Sequence, residues 1–273
     1  MPLAEHRIGF VGAGNMAEAI VRGLLAAGAV QADHILVSDV RSDRLDLFAA
    51  LGVPAFPENL RPASEADILV LSVKPQVMAD VLRELSAHVG SDTIVVSIAA
   101  GISTGFIEAR LGDGARVVRV MPNTPLLVGK GMSALVPGRH ASPEDISLVS
   151  GIFASCGSTV IIKDETLMDA VTAVSGSGPA YLFYLAEAML LAAETEGLPA
   201  ETSDALVRET LAGAGALLAA SRGAAPDELR RRVSSPGGTT EAAIKSMDEA
   251  GVSAAIMEAV RRAAARSREL AKG

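Results

Sequence analysis

The chain has 273 residues, of which 49% are hydrophobic and 21% are charged. A chain of this length and composition forms a sizeable core, commonly in two domains, and is not predominantly disordered. Its 32 acidic and 24 basic residues give a net charge of −8, which argues against general binding to nucleic acids or anionic membranes.

The residues also exclude several kinds of site and segment. Cys156 is the single cysteine, so it forms neither a disulfide framework nor a thiolate metal cage, and the four histidines lack the spacing of metal ligands. The N-terminus has no signal-peptide pattern, and the long uncharged segment 170–186 is interrupted by Ser175-Gly-Ser-Gly-Pro179. We therefore expect a soluble, cytoplasmic protein without a metal, a membrane span or a nucleic-acid partner.

Short β-branched segments alternate with helical segments from Arg7 to about Ile162. The strand candidates are residues 8–11, 35–38, 68–72, 93–98, 117–121, 132–136 and 159–162. Apolar residues at helical spacing predict helices over 15–27, 41–51 and 76–88. This alternation, with strands that are nearly continuous apolar runs, predicts an α/β domain over residues 1–162 whose doubly wound parallel sheet is covered on both faces.

From Lys163 onwards the sequence contains no convincing strand, and Ala, Leu, Glu and Arg dominate. We predict helices over 167–174, 179–196, 200–221, 226–233, 240–250 and 253–271. Residues 181–193 are apolar around most of the helix circumference, with Glu187 as the one charged side chain. A small helical domain cannot bury such a helix alone, so we predict an all-α domain over residues 163–273 that dimerises with a second copy of the chain.

The first predicted strand leads into the glycine-rich turn Gly12-Ala-Gly14-Asn-Met-Ala17. The first glycine permits a tight turn, the second lets the backbone approach a pyrophosphate, and Ala17 lets the helix pack closely on the strand. Because the turn follows a strand and opens a helix, it favours a Rossmann-type dinucleotide site over an ordinary glycine-rich turn. The cofactor-binding residues expected in this turn are Gly12, Ala13, Gly14, Asn15 and Met16.

The end of the second strand bears on which dinucleotide binds. Asp39 lies about 20 residues after the glycine-rich turn, where an acidic residue accepts hydrogen bonds from the ribose hydroxyls of NAD. Arg41 and Arg44 would instead neutralise the 2′-phosphate of NADP. Alternatively, all three residues merely start a solvated helix, with Asp39 as its cap. Asp39 slightly favours NADH, and the arginines leave the choice between NADH and NADPH open.

Further candidates follow the next apolar strands, at the sheet edge where α/β proteins bind ligands. Lys74, within Val73-Lys74-Pro75, either faces the cofactor or substrate or is a surface lysine held extended by Pro75. The small residues Ala99, Ala100 and Gly101 suit a backbone that lies close to a ring or a ribose. The loop Met121-Pro-Asn-Thr-Pro125 is either a wall of the nicotinamide site or a rigid connection.

An unusual loop, Ser234-Ser-Pro-Gly-Gly-Thr-Thr240, precedes a predicted helix in the helical half. The N–H groups of Gly237, Gly238 and Thr239 at a helix N-terminus form an anion nest suited to a small carboxylate, and Thr240 adds a hydroxyl. A plain N-cap with a glycine turn is the alternative, but it does not explain the paired glycines. The loop 175–179 either lines the same cleft or lets two helices cross closely.

The lack of a candidate base also limits the type of reaction. Oxidation of an alcohol requires a base, and the helical half contains no histidine and no convincing catalytic lysine. Hydride addition to a basic C=N group needs less help, because the nitrogen can take its proton from a hydroxyl or from water. The sequence therefore favours imine reduction.

Taken together, these segments resemble the pyrroline-5-carboxylate reductase family over essentially the whole chain. The resemblance is carried by residues 8–17, Val73-Lys-Pro-Gln76, Ser97-Ile-Ala-Ala-Gly101, Met121-Pro-Asn-Thr-Pro125, Ser175-Gly-Ser-Gly-Pro-Ala-Tyr181 and Ser235-Pro-Gly-Gly-Thr-Thr240. It implies an N-terminal Rossmann domain, a C-terminal helical dimerisation domain, and homodimers that often assemble as a pentamer of dimers. It also implies reduction of 1-pyrroline-5-carboxylate to L-proline by NADPH or NADH, the last step of proline biosynthesis.

The resemblance also assigns residue roles. Residues 12–17 would bind the pyrophosphate, and the rest of the dinucleotide would lie against Asn59, Val73, Lys74, Pro75, Ala99, Ala100 and Gly101. The substrate carboxylate would lie on the loop that contains Ser235, Gly237, Gly238, Thr239 and Thr240. Thr240, whose hydroxyl approaches the ring nitrogen, is the candidate catalytic residue, and the nicotinamide near residues 99–101 would deliver hydride to the imine carbon.

Two positions depart from the family pattern. Many members have Ser, Thr or Asn in place of Asp39. These residues tolerate a 2′-phosphate better than a carboxylate does, so Asp39 argues against a preference for NADP. Many have an acidic residue where this chain has Arg230-Arg-Arg232, for which an intersubunit or substrate-steering role is the available explanation. The alternative functions are a β-hydroxyacid dehydrogenase-like oxidoreductase, which needs a catalytic lysine after the sheet domain, and a dinucleotide-binding regulator without turnover.

Overall fold

The computed structural model describes residues 2–270, which form eight β-strands and twelve α-helices. The strands are β1 (Ile8–Val11), β2 (Ile35–Ser38), β3 (Ala55–Phe56), β4 (Ile68–Leu71), β5 (Ile94–Ser97), β6 (Arg116–Met121), β7 (Gly131–Pro137) and β8 (Gly157–Ile161). The helices are α1 (Asn15–Ala26), α2 (Ser42–Ala50), α3 (Leu60–Glu65), α4 (Met78–Leu85), α5 (Thr104–Leu111), α6 (Pro143–Ala154), α7 (Met168–Val171), α8 (Gly178–Thr195), α9 (Ala200–Ala220), α10 (Pro226–Arg232), α11 (Thr239–Glu249) and α12 (Val252–Leu270).

All eight strands belong to one sheet with the order β3-β2-β1-β4-β5-β6-β7-β8. Strands β1 to β6 are parallel, and Ile8 of β1 lies opposite both Ile35 of β2 and Ile68 of β4. The chain order therefore reverses direction between β1 and β4. In open α/β sheets this reversal leaves a crevice at the carboxyl ends of the two strands, where ligands bind.

Strands β1, β2, β4 and β5 are buried on both faces of the sheet, since successive side chains point to opposite faces and every residue of these strands is buried. In β4, Ile68 and Val70 belong to a core cluster that includes residues of α1 and α6, whereas Leu69 and Leu71 belong to a second cluster that includes residues of α4. All four side chains are fully buried. The predicted fold class, a doubly wound sheet covered on both faces and followed by a helical region, is confirmed.

The sheet differs from the prediction at both of its edges. Strand β3, with two residues, is too short to give a periodic signal. Strand β7 runs antiparallel to β6, and β8 then runs parallel to β7. The connection from β6 to β7 contains a 3₁₀ turn, Thr124–Val128, and no crossover helix, so it is too short to return the chain for a parallel pair.

The helices differ mainly in number and at their ends. Helices α3, α5 and α6 were not among the predicted elements. The helix predicted over 167–174 is α7 followed by a π-helical turn at Thr172–Gly176. The last predicted helix corresponds to α12, and its predicted final residue, Ala271, lies outside the described residues.

Two compact units result from this arrangement. The first unit contains the chain up to Gly176, with the whole sheet, and the C-terminal segment from Ala263; the second unit contains residues 177–262. Within the first unit, the Ser267 hydroxyl of α12 donates a hydrogen bond of 2.6 Å to the Asp169 carboxylate of α7. The domain boundary expected after Ile162 stays a prediction.

Large apolar side chains are exposed in the second unit. On α8, Phe183, Tyr184 and Leu191 are 62%, 76% and 68% exposed. No residue of α8, which lies wholly within the described part of the chain, is fully buried. This single chain therefore does not provide the burial that the sequence predicts for the helix. Among residues 2–270, no helix is both long enough and apolar enough to cross a membrane.

Candidate functional site

The glycine-rich turn lies between the ends of three neighbouring strands. Gly12 has a φ of +99°, and its N–H donates a hydrogen bond of 2.8 Å to the Ser38 carbonyl at the end of β2. A Cβ atom at Gly12 would lie 2.8 Å from the Ser72 carbonyl oxygen, just after β4. Glycine is therefore required at this position both by the backbone conformation and by the approach of Ser72.

Helix α1 begins directly after this turn and presents its N-terminus to solvent. Gly14 is the N-cap residue and is exposed, and a Cβ added there would meet no atom within 4 Å. The N–H groups of the first helical turn have no intrahelical partner and carry the positive end of the helix dipole. A close backbone turn with open space at a helix start fits the pyrophosphate of a dinucleotide.

The peptide groups of Ala13 in this turn are held by two charged side chains. The Ala13 N–H donates a hydrogen bond of 2.7 Å to Oδ2 of Asp39, whose Oδ1 accepts one of 2.9 Å from the Arg41 N–H. The Ala13 carbonyl accepts a hydrogen bond of 2.6 Å from Nε of Arg44. Asp39, which the sequence predicts to bind the ribose, is therefore hydrogen-bonded to the turn that is predicted to bind the pyrophosphate.

Arg44 is in turn held by Glu18, which lies in the first turn of α1. The Arg44 guanidinium lies 2.8 Å from the Glu18 carboxylate, and the two side chains are 13% and 18% exposed. Partial burial alone would raise the pKa of Glu18, but hydrogen bonds from Arg22 and Arg44 outweigh it and keep that pKa below its ordinary value. Arg44 is thus bonded to the turn and to Glu18, whereas the exposed Arg41 pairs with Asp43.

The other residues expected at the dinucleotide lie along the same edge of the sheet. The Ser38 hydroxyl donates to Oδ1 of Asn59 at 2.9 Å, which fixes the Asn59 amide beside the end of β2. Val73 lies beside Gly12, with its Cγ1 atom 3.1 Å from where a Gly12 Cβ would stand. Beyond them, Lys74 is exposed, Ala99 and Gly101 are buried, and Ala100 and Pro75 are intermediate.

Asn123 was not singled out from the sequence beyond its place in the loop 121–125. Its side-chain N–H group donates to the Ser175 carbonyl at 3.2 Å, and its Oδ1 accepts from the Met132 N–H at 2.9 Å. The structure thus brings two of the family-like segments, at Asn123 and Ser175, into direct contact. The pairing of these two loops requires tertiary structure, so spacing along the sequence gives no signal for it.

In the second unit, the glycine pair forms a tight turn at the start of α11. Gly237 has a φ of +71°, and Gly238 is the N-cap residue of the helix. The Gly238 N–H donates to the Ser235 carbonyl at 3.0 Å, and a Cβ on Gly238 would lie 2.5 Å from the Ser235 hydroxyl oxygen. Gly237 is therefore required by its backbone conformation, and Gly238 avoids a close contact with Ser235.

A side-chain carboxylate binds this turn. Oε2 of Glu241, in the first turn of α11, accepts a hydrogen bond of 2.6 Å from the Gly237 N–H. The sequence analysis missed this contact. An acidic residue three positions after a helix N-cap commonly bonds backbone N–H groups at the helix start, and this spacing is the signal that would have indicated it.

A cavity of about 740 Å³ adjoins the turn between α10 and α11. Its lining includes Gly237, Gly238, Glu241, Arg230 and Lys245. In the neighbouring arginine cluster, Arg231 and Arg232 pair with acidic residues one turn earlier in α10. Within the described residues 2–270, the Arg230 side chain has no ion pair. In the same part of the chain, no group of three His, Cys, Asp or Glu side chains is arranged to hold a metal ion.

Both halves of the chain are similar to known protein families. Residues 165–270 match the family model described as pyrroline-5-carboxylate reductase dimerisation, and residues 7–101 match one described as NADP oxidoreductase, coenzyme F420-dependent. A pyrroline-5-carboxylate reductase from Methanosarcina acetivorans is 44% identical over 271 residues, which span 99% of this chain and 100% of the relative.

Two solved structures are similar over nearly the whole length. A pyrroline-5-carboxylate reductase from Coxiella burnetii has a TM-score of 0.91 at 36% identity, and covers 98% of this chain and 99% of its own. A pyrroline carboxylate reductase from Plasmodium falciparum, solved with NADP bound, has a TM-score of 0.87 at 29% identity, with 98% and 99% covered.

The hydrogen bonds of Arg44 to Ala13 and Glu18 predict that this residue supports the glycine-rich turn. We expect Arg44→Ala to weaken NADH binding by about fivefold to thirtyfold, because the loss of a charged hydrogen bond to the Ala13 carbonyl removes about 1–2 kcal/mol of support for the turn. The measurement is the dissociation constant from the fluorescence change of NADH on binding. Arg22→Ala is the matched control, since Arg22 also pairs with Glu18 but is half exposed. Equal effects of the two substitutions would contradict the assignment.

Proposed function

Because the chain belongs to the pyrroline-5-carboxylate reductase family, we infer that it reduces 1-pyrroline-5-carboxylate to L-proline with hydride from NADH or NADPH. The observation that carries this inference is the 44% identity over 99% of this chain and 100% of the relative. The two alternatives, a β-hydroxyacid dehydrogenase and a regulator without turnover, are not favoured by these relatives.

We propose that the first unit holds the dinucleotide through the edge formed by β1, β2 and β4. The turn at Gly12, Ala13 and Gly14 would lie against the pyrophosphate. The N–H groups of Gly14, Asn15 and Met16 at the start of α1 would donate to it, because those of Gly12 and Ala13 already donate to Ser38 and Asp39. Asp39 would accept hydrogen bonds from the adenosine ribose, since each of its oxygens has a further lone pair beyond the one used by Ala13 or Arg41. When bound, the reduced nicotinamide supplies the hydride.

We propose that the turn before α11 binds the substrate carboxylate. The N–H groups of the first helical turn, Thr239 among them, have no carbonyl partner within the helix and favour an anion. Gly237 is exposed and its N–H donates to Glu241, and Ser235 and Gly238 set the shape of the turn through the bond between them. Support for this proposal comes from the chemistry of the donors and from the adjoining cavity.

Thr240 is the proposed catalytic residue. It is half-buried in the first turn of α11, one residue beyond the helix start at Thr239. We propose that its hydroxyl donates a hydrogen bond to the ring nitrogen of the imine, which becomes an amine as the adjacent carbon gains hydride. The nitrogen then takes its proton from this hydroxyl or from water, so no strongly basic side chain is required.

Removal of this hydroxyl tests the role of Thr240. We expect Thr240→Ala to lower kcat/KM for 1-pyrroline-5-carboxylate by roughly tenfold to a hundredfold, because one transition-state hydrogen bond contributes about 1.4–2.7 kcal/mol. The assay follows the loss of NAD(P)H absorbance when the imine is added.

Thr240→Ser is the matched control, because it keeps the hydroxyl and should restore most of the activity. If Thr240→Ala turns over at the wild-type rate, Thr240 has no catalytic role. If the wild-type protein binds NAD(P)H but does not oxidise it with the imine, the inferred reaction is wrong and a regulator without turnover becomes the better description.

The cofactor preference depends on Asp39, because Arg44 is bonded to Ala13 and Glu18. We propose that NADH is preferred, since the Asp39 carboxylate would repel a 2′-phosphate. Asp39→Ser should raise the ratio of kcat/KM for NADPH to that for NADH by roughly tenfold to a hundredfold, or about 1.4–2.7 kcal/mol. Asp46→Ser, which removes an exposed carboxylate from α2, the helix that follows Asp39, should leave the ratio unchanged. A wild-type preference for NADPH would refute the proposal.

We further propose that the active form is a homodimer, with five dimers as the full assembly, and that it is cytoplasmic. Support for the dimer comes from the match of residues 165–270 to a dimerisation family and from the exposed apolar side chains of α8. Side chains as large as Phe183 and Leu191 are buried in stable helical domains or at interfaces.

Light scattering after size exclusion tests the assembly. The wild type should have the mass of two or ten chains of 27.9 kDa. Phe183→Asp should shift it toward one chain, because a carboxylate at this exposed apolar position would be desolvated by a partner. Arg222→Asp introduces the same side chain at an exposed position after α9 and should keep the assembly. A monomeric wild type would overturn the proposal.

A further inference from the structure

The hydrogen bond between Glu241 and Gly237 has a consequence for substrate binding. We propose that the Glu241 carboxylate is an internal competitor for the amide that binds the substrate carboxylate, and that the enzyme exchanges one for the other on binding. The proposal rests on the inferred reaction and deepens it by naming a residue that controls the affinity for the substrate carboxylate.

The geometry is that of a bound anion. Oε2 of Glu241 lies 2.6 Å from the Gly237 nitrogen, which is short for an N–H donor and typical of a bond to a charged acceptor. The group that the substrate would present to this turn is also a carboxylate. One N–H group can make one strong hydrogen bond of this kind, so the two carboxylates compete for it.

The surroundings permit the exchange. Gly237 and Glu241 are both exposed, and a Cβ on Gly237 would meet no atom within 4 Å. A ligand can therefore approach the amide without displacing packed side chains. The adjoining cavity is lined by Glu241 and by Arg230, which has no ion pair within residues 2–270. Glu241 is thus free to rotate into water when an external carboxylate takes its place.

The exchange would lower the affinity only for substrates that carry a carboxylate. A cyclic imine without this group, such as 1-pyrroline, gains nothing from the Gly237 amide and has no reason to displace Glu241. A substrate with a carboxylate displaces Glu241 but binds less tightly than it would to a free amide. If the internal bond is formed in about 70–90% of molecules, the apparent affinity is reduced roughly threefold to tenfold.

A purely structural role is the competing explanation. Glu241 is in the first turn of α11, where a carboxylate stabilises a helix through the dipole and through backbone N–H groups. Loss of that role lowers the melting temperature but does not improve substrate binding. The two explanations therefore predict opposite changes in affinity.

The experiment compares full-length wild type with Glu241→Gln and Glu241→Ala. For 1-pyrroline-5-carboxylate, kcat/KM should rise roughly threefold to tenfold in Glu241→Ala and less in Glu241→Gln, whose neutral amide oxygen is a weaker acceptor. For 1-pyrroline, as substrate or competitive inhibitor, the constants should stay within about twofold of the wild type. We use kcat/KM because it does not include product release.

Asp248→Asn is the matched control, since Asp248 lines the same cavity and its loss also removes one negative charge. It should leave both substrates unaffected. Equal gains in Asp248→Asn and Glu241→Gln would assign the effect to general charge and overturn the proposal. An unchanged or lower kcat/KM in both Glu241 variants, with only a lower melting temperature, would leave Glu241 as a helix cap.

A binding readout separates this proposal from the inferred reaction. The affinity for L-proline, measured by calorimetry in the presence of NAD⁺, should rise roughly threefold to tenfold in Glu241→Ala. If the wild type does not reduce the imine, the inferred reaction fails, while a gain in proline affinity would still support the exchange. No gain in proline affinity refutes the exchange whatever the activity.

Discussion

Hydrogen bonds from turn amides to side-chain carboxylates are the interaction on which both candidate sites depend. At the start of α1, the Ala13 N–H donates to Asp39, and at the start of α11, the Gly237 N–H donates to Glu241. Each turn contains a glycine with positive φ, at Gly12 and Gly237, a backbone conformation that other residues rarely adopt. The bond fixes the turn, and N–H groups of the turn or of the helix start are suited to phosphate and carboxylate ligands. Stability of the turn and recognition of an anion therefore rest on one kind of contact.

The parts of the fold that follow from local sequence patterns were predictable. The apolar runs of β1, β2, β4 and β5 and the glycine-rich turn identify the Rossmann-type half without any tertiary information. The direction of β7 and the two-residue strand β3 depend on pairing with neighbours, which a single sequence does not reveal. Helix α6 is different, because it begins at a capping box between Ser142 and Asp145, whose spacing is visible in the sequence.

The candidate sites show the same division. Sequence spacing indicates that Asp39 and the turn at Gly12 belong to one site, but not that Asp39 and Arg44 hold the two polar groups of the same residue, Ala13. It offers Arg44 as a partner for a 2′-phosphate, whereas in the structure its Nε donates to the Ala13 carbonyl and its Nη2 to Glu18. Long-range pairing of charged side chains is decided by packing, so it could not be predicted from residue order.

The chemistry of imine reduction explains why so few side chains carry the candidate site. Reduction of a carbonyl or oxidation of an alcohol would need a strong general acid or base to transfer the proton. A cyclic imine nitrogen is already basic and can take its proton from a hydroxyl or from water. Catalysis then depends mainly on holding the reactants in position. Backbone amides are well suited to that task because their geometry is set by the fold, and they have no rotamers to order on binding. In such a site a nearby carboxylate such as Glu241 affects which imines bind by occupying the amide, without taking part in the reaction itself.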